Sequence, residues 1–345
     1  PDPTYRRDAG QNINSLVRHD LSGDGVPDVM TGLDCATSSN MQYWPTQSGG
    51  VLAATPAASY LSSGSNAVMD LKFEDFDNDG VMDMVAGLQS SFGTFTGGFE
   101  IFGGSGGGAF SSAQHVTHAG PLDVWTLGEI WAVESGDIDG DGDKDIVVGS
   151  HDNAFLGHID VFENTGLASM VFVWRARYQS FGAVNDLEVL DMKEDDQNDP
   201  DIIAATSVGT TTGMILLWLN TGGAFGLPDT TGYAFDAGET PNMPDDWVNA
   251  AGAALCLAPL NVNGDVFPDI MYGVRSSLLY GGDIYLLPAY GTLPPSGLKI
   301  NQTSSGEIIA MDVSDFNKDN LPALGVGTRP SAPQGRLVGY FGRHR

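Results

Sequence analysis

Short segments in which apolar and polar residues alternate recur along the whole chain. Ser15-Leu-Val-Arg-His19, Met69-Asp-Leu-Lys-Phe73, Trp131-Ala-Val-Glu134 and Ile308-Ile-Ala-Met311 are four of them. A period of two sends successive side chains to opposite faces, so each segment predicts a half-buried β-strand. Each opens a unit that runs the same course: an acidic loop, a β-branched run ending in Gly, then a polar connection. An aromatic and aliphatic third strand follows: Met41-Gln-Tyr-Trp44, Phe99-Glu-Ile-Phe102, Ile159-Asp-Val-Phe162, Met214-Ile-Leu-Leu-Trp218, Ile284-Tyr-Leu-Leu287 and Leu337-Val-Gly-Tyr-Phe341. In the first five units a turn such as Asn164-Thr-Gly166 or Asn220-Thr-Gly-Gly223 leads to a weaker fourth strand. Gly is abundant at 46 and charged residues make up 17%, which suits many strands and tight turns rather than long helices.

The acidic loops carry the chemistry. Asp137-Ile-Asp139-Gly-Asp141-Gly142-Asp-Lys-Asp145 places carboxylates at positions 1, 3, 5 and 9, with Gly at position 6. Crowded carboxylates repel one another, and a hard divalent cation that takes six to eight oxygens removes that cost. The EF-hand pattern ends in Glu at position 12 between helices. Here Ile-Val-Val-Gly149 follows at once, so the loop joins two strands. Asp75, Asp77, Asp79 and Asp83 repeat the full set, and Asp20, Ser22, Asp24 and Asp28 repeat it with one hydroxyl. Asn261, Asn263, Asp265 and Asp269 form a less charged set with Val266 in place of the Gly, and weaker binding is expected there. Asp315, Asn317 and Asp319 lack the ninth acid, which is Ala323. The stretch 191–201 puts Lys193 at position 1, or else begins at Asp191 and is two residues longer, and no standard ion is expected in it. Ca²⁺ is the expected cofactor, at three sites and at up to five.

Aligned on position 9, the loops 20–28, 75–83, 137–145, 191–201, 261–269 and 315–323 lie 55, 62, 56, 68 and 54 residues apart. A sustained period of this size means a repeat architecture. Four antiparallel strands per unit make the blade of a β-propeller, so the expected fold is all-β, a single six-bladed propeller over 1–345, with seven blades as the alternative. The last unit stops after its third strand, and Thr4–Gln11 resembles Arg177–Ala183. The N-terminus is therefore expected to supply the missing outer strand and close the ring, which leaves only short edges. An insertion of about 228–251 accounts for the longest interval.

The formal charge of −29, with only 15 basic residues, speaks against nucleic acid or anionic membranes as partners. No stretch approaches the ~18 apolar residues of a bilayer span, so membrane insertion is not expected. Cys35 and Cys256 have no metal or redox spacing and read as two buried thiols. The chain begins at Pro1 without an initiator Met, as if processed or excised. Gly103-Gly-Ser105-Gly-Gly107 matches a nucleophile pattern, but it occupies a hairpin turn with no helix after it. His115 and His118 have no acidic neighbour, and the chain reads as non-enzymatic.

The acidic loops with their hydrophobic-Gly strands resemble the FG-GAP/VCBS repeats of integrin α-subunit propellers and of secreted bacterial proteins. The resemblance spans essentially the whole chain. It implies Ca²⁺ between the first and second strands, ligands mostly on the opposite face of the disc, and an extracellular or cell-surface setting. Two residues past the strand-ending Gly, on that opposite face, lie Asp34, Gln89, His151, Ser207, Arg275 and Arg329, with Ala205 in place of Gly in the fourth unit. Trp125 and Trp247 fall in connections expected on the same face. Arg, Asp, His and aromatic rings suit a glycan or a protein loop. The expected function is thus a calcium-stabilised recognition or adhesion module for a glycan or protein partner. A polysaccharide lyase, as the resemblance to certain rhamnogalacturonan lyases allows, and a structural subunit of a surface layer or appendage are the alternatives.

Overall fold

A computed structural model describes residues 9–34, 39–47, 50–62, 66–89, 98–111, 114–116, 128–151, 157–166, 170–192, 200–210, 212–220, 246–250, 252–262, 267–275, 281–288, 298–303, 306–314, 323–329 and 336–340. Their elements are strands, ordered as the sequence pattern predicts. Sheet 1 holds β1 (Ile13–His19), β2 (Asp28–Leu33), β3 (Met41–Trp44) and β6 (Ala58–Tyr60), with a small hairpin of β4 (Thr46–Gln47) and β5 (Val51–Leu52) beside it. Sheet 2 holds β7 (Ala67–Glu74), β8 (Asp83–Gln89), β9 (Gly98–Phe102) and β10 (Gln114–Val116). Sheet 3 holds β11 (Glu129–Gly136), β12 (Asp145–His151), β13 (Gly157–Asn164) and β14 (Phe172–Ser180). Sheet 4 holds β15 (Ala183–Leu190), β16 (Asp201–Val208), β17 (Thr212–Trp218) and β18 (Asp246–Ala250). Sheet 5 holds β19 (Ala253–Leu260), β20 (Asp269–Arg275), β21 (Gly282–Leu287) and β22 (Leu298–Thr303). Sheet 6 holds β23 (Glu307–Ser314), β24 (Ala323–Arg329) and β25 (Arg336–Tyr340).

Chain neighbours pair as antiparallel neighbours, which is the meander of a propeller-like blade. The ring-closing strand expected at Thr4–Gln11 lies outside the described residues up to position 8, and residues 9–11 are not in a strand. Most of the insertion, 228–245, also lies outside them. Its end does not connect sheets, as expected, but forms β18, where Trp247 is the register partner of Leu216. A connection that returns antiparallel to β17 completes that strand's hydrogen bonds, and this decides it.

The chain divides into two compact units. One comprises Pro1–Ser135, Gly142–Asn153 and Asp160–Arg175, the other Gly136–Asp141, Ala154–Ile159 and Ala176–Arg345. In the first, Met30, Met41, Val68, Leu71 and Met84 pack between sheets 1 and 2, and Phe76, Phe99, Ile130, Val133 and Phe162 pack between sheets 2 and 3. In the second, Ile203, Leu217, Leu257, Tyr272 and Leu287 form one cluster and Cys256, Met271, Ile308 and Val326 another.

The strand-ending glycines are points of close approach. A Cβ on Gly32 would sit 2.7 Å from Val68 Cγ1, one on Gly87 2.9 Å from Ile130 Cγ2, and one on Gly273 2.3 Å from Ile308 Cγ2. In each case the intruding side chain belongs to the first strand of the following sheet, so Gly is what lets consecutive sheets stack. A bulge lies at one register position in β1, β7, β15, β19 and β23. Just past it, Asp70 Oδ2 accepts the Val133 N–H at 2.9 Å and Asp186 Oδ2 accepts the Leu257 N–H at 2.7 Å, each tying one sheet to the next. β1 differs. Its Ile13 and Leu16 are 49% and 59% exposed, whereas their register counterparts Val68 and Leu71 in β7 are buried.

Candidate metal centres

Two of the acidic loops gather their carboxylates. Asp75, Asp77 and Asp83 offer oxygens within 4.8 Å of one another, and so do Asp137, Asp139 and Asp145. The backbone organises this convergence. Position 6 is left-handed in all three complete loops, with φ of 84° at Gly25, 87° at Gly80 and 97° at Gly142. Nothing lies within 4 Å of a Cβ there, so the requirement is conformational rather than steric. Position 4 is left-handed too, at Gly23, Asn78 and Gly140, a requirement the carboxylate spacing does not announce. Asp75 then accepts the Asp79 and Gly80 N–H groups at 3.0 and 2.9 Å, and Asp79 accepts the Val81 N–H at 2.7 Å.

Position 9 has a second task. Asp83 is buried; its Oδ2 accepts the Phe76 N–H at 2.9 Å and its Oδ1 the Gly104 N–H at 2.7 Å. One oxygen thus holds the loop and the other holds the end of the third strand. Asp28 does the same with Ser22 and Thr46, and Asp201 with Met192 and Asn220. Asp145 accepts the Asn164 N–H, and Asp269 accepts the Val262 N–H. Asp201 keeps both bonds although its loop has lost the acid pattern, so this clamp stands without the metal set.

The electrostatics of the two gathered groups fit a divalent cation. Burial pushes the Asp83 carboxyl above the usual carboxylate range. The Gly104 and Phe76 N–H groups oppose this, and the charges of Asp77 and Asp75 add to it. A divalent ion among these oxygens reverses the like-charge cost, and an all-oxygen donor set suits Ca²⁺. Loop 1 has Ser22 where the other two have Asp77 and Asp139, so it lacks the third carboxylate of such a group. Desolvation works against the Asp20 carboxylate, but the N–H groups of Gly25, Gly23 and Asp24 and the Ser22 hydroxyl hold its pKa below the usual value. Of the remaining expected ligands, Asn261 and Asp269 are described, while Asn263, Asp265, Asp315, Asn317 and Asp319 lie outside the described residues.

The opposite strand ends bring several expected ligand residues onto polar partners. Gln89 Nε2 and Trp131 Nε1 both donate to Glu129 Oε2, at 3.1 and 3.2 Å, and His151 Nδ1 lies 4.0 Å from the same oxygen. Asp34 accepts from Asn12 and Asn14, and Ser207 from Asn185. Arg275 Nη1 donates to Glu307 Oε1 at 3.1 Å, and Glu307 is only 1% exposed. Arg329 is the register partner of Glu307. Trp125 lies outside the described residues. The anchoring acids Glu129 and Glu307 escape a reading of the loops because each opens the following unit.

Ser105 sits in a tight turn: its N–H and hydroxyl both donate to the Ala109 carbonyl, and Ser111 N–H closes on Gly103 O. No base is seen beside it, and among the described residues no catalytic constellation is present. Cys256 is buried and free, as expected, and Cys35 lies outside the described residues. No helix among the described residues is long and apolar enough to cross a membrane.

A family model described as FG-GAP-like repeat matches residues 10–86, the first two repeats. A search of curated proteins finds no match. Among solved structures the chain is similar to one from the crystal structure of BBS1N in complex with ARL6DN, soaked with lead. The two are 10% identical over 96% of this chain and 80% of that one, with a TM-score of 0.51. At that identity the likeness is one of fold, and the fold is propeller-like.

Proposed function

We propose that this protein is a calcium-stabilised recognition module that binds a protein or glycan partner through the strand ends remote from its acidic loops. The observation that carries the reading is the convergence of Asp75, Asp77 and Asp83, and of Asp137, Asp139 and Asp145, at the junction of first and second strands. Side chains spent on metal hold the scaffold, and loops on a rigid scaffold are where recognition usually resides. Support for the remote end comes from Arg275, which donates to the buried Glu307, and from Arg329, which stands at the register position opposite Glu307. Arg is scarce in a chain of net −29, and two of them at one strand end suit an acidic loop or an anionic sugar. A protein partner has the added support that the similar BBS1N fold is seen in complex with ARL6DN.

The closed six-bladed ring over residues 1–345 belongs to the same proposal. It rests on the repeat period and on the exposed Ile13 and Leu16, whose counterparts in β7 are buried. The extracellular setting is also part of it, resting on the acidic composition and the calcium chemistry of the loops.

One experiment tests the reading in two stages. Each site filled at roughly a hundred-fold excess over Kd stabilises by about 2.7 kcal/mol, so EDTA should lower the Tm by several degrees. A glycan array and a panel of acidic peptides are then probed with Ca²⁺, with EDTA, and with the Arg275→Ala, Arg329→Ala double variant. Binding lost in the double variant while its gain in Tm on calcium addition is kept supports the reading. An EDTA-insensitive Tm with no bound Ca²⁺ by metal analysis overturns it.

A further inference from the structure

Loop 1 carries the same spacing as loops 2 and 3 with Ser22 in place of the acid at position 3, and one residue outside the loop also distinguishes it. The Tyr43 hydroxyl, on the third strand, donates to Asp28 Oδ2 at 2.9 Å. Asp28 Oδ2 also accepts the Ser22 N–H at 2.9 Å, and Oδ1 accepts the Thr46 N–H at 2.7 Å. A carboxylate has about four lone-pair sites, two per oxygen. Both on Oδ2 are therefore filled. At Asp83 each oxygen accepts one N–H, and one of its oxygens lies within 4.8 Å of oxygens of Asp75 and Asp77.

Register makes Tyr43 a specific device. Tyr43 is the partner of Met30, two residues past Asp28. The same place is filled by Ile101 opposite Val85, Leu217 opposite Ile203 and Leu286 opposite Met271. None of these carries a hydroxyl. Tyr43 is 4% exposed and is held in place by Gly108 of the next sheet's hairpin, where a Cβ would lie 2.3 Å from the ring. Within the loop, Ser22 replaces the third carboxylate, and its hydroxyl turns to Asp20 Oδ1 at 3.4 Å. Asp20 also accepts the Gly23, Asp24 and Gly25 N–H groups, at 2.8, 3.1 and 2.7 Å. The charge has fallen by one, and three of about four acceptor sites on the ninth acid are filled from within the protein.

We infer that loop 1 is a metal-independent loop in which the Tyr43 hydroxyl does for Asp28 what a cation does for Asp83 and Asp145. The inference rests on the calcium reading of loops 2 and 3 and assigns Tyr43 as the residue that withdraws loop 1 from it.

Calcium binding to the whole chain, followed by titration calorimetry and by metal content after equilibrium dialysis, tests it. Asp75→Asn and Asp137→Asn should each lose about one equivalent of Ca²⁺, and Asp20→Asn should lose none. Ser22→Asp alone should add none, whereas Ser22→Asp with Tyr43→Phe should add one and should gain Tm on calcium addition beyond the parent. Loss of an equivalent in Asp20→Asn overturns the inference while leaving the calcium function intact. A gained equivalent in Ser22→Asp alone, or none in the double variant when its circular dichroism matches the parent's, removes Tyr43 as the determinant. If all three Asn variants bind as the parent does, the calcium reading fails and takes this inference with it.

Discussion

Asn164 Nδ2 donates to the backbone carbonyl of Phe76 at 2.8 Å, from the end of the third strand of sheet 3 to the second position of the acidic loop of sheet 2. Both groups are buried. Asn220 repeats the bond one sheet on, to the Ile138 carbonyl at 2.8 Å. The Asn-Thr-Gly turns thus join each of these sheets to the loop before it. Asn164→Ala leaves a buried carbonyl without its donor, a loss of about 1–3 kcal/mol. Chemical denaturation should show this as a lower midpoint, and calcium addition should recover less of it than in the parent, because the loop is no longer held from outside.

Asp201 separates the clamp from the metal. It accepts the Met192 and Asn220 N–H groups while buried, in the loop where no standard ion is expected. Asp201→Ala strands two buried N–H groups and should cost roughly 3 kcal/mol, equally in Ca²⁺ and in EDTA. Asp75→Asn should instead cost more stability in Ca²⁺ than in EDTA. Paired melts in the two buffers distinguish these outcomes.

Gly273→Ala should destabilise through overpacking, by about 1–3 kcal/mol, because its Cβ would fall 2.3 Å from Ile308 Cγ2 and 2.7 Å from Cys256 Sγ. Gly327→Ala meets nothing nearer than Ala310 Cβ at 3.3 Å and should cost less. The difference between the two melting temperatures is the readout, and equal losses would mean that strand propensity, not sheet stacking, sets the cost.

Asp70 introduces a pH dependence of the opposite sign to that of an ordinary salt-bridged acid. Burial, opposed by the Val133 and Leu71 N–H groups and reinforced by the Glu134 charge, raises its pKa to about 6. The unfolded value is near 3.9. Folding therefore favours the protonated form. The stability this group contributes is complete below pH ~4 and is lost as pH rises through about 6, on the order of 3 kcal/mol at most. Asp70→Asn carries no such titration. The stability of the parent relative to that variant should fall between pH 4 and 6 and level off above, as followed by denaturation at each pH.

Much of the architecture is legible in the sequence because it is local. The alternating runs place β1, β7, β11 and β23, the 1-3-5-9 acids with Gly at position 6 place the hairpin loops, and the period places the sheets. The runs and the loops depend on residues within about ten positions of one another, where backbone sterics and side-chain alternation decide, and the period only repeats them. Only the tertiary structure decides which carboxylates meet. Loops 1 and 2 share a spacing, but Asp28 takes the Tyr43 hydroxyl in one while Asp75 and Asp77 gather on Asp83 in the other. It likewise turns Asn164 from a turn residue into a bond to Phe76, sets Arg275 against Glu307, and makes a strand of the end of the insertion at Trp247. Each of these joins groups far apart in the chain. Their energies come from desolvation and hydrogen-bond completion at packed surfaces, which residue spacing does not encode.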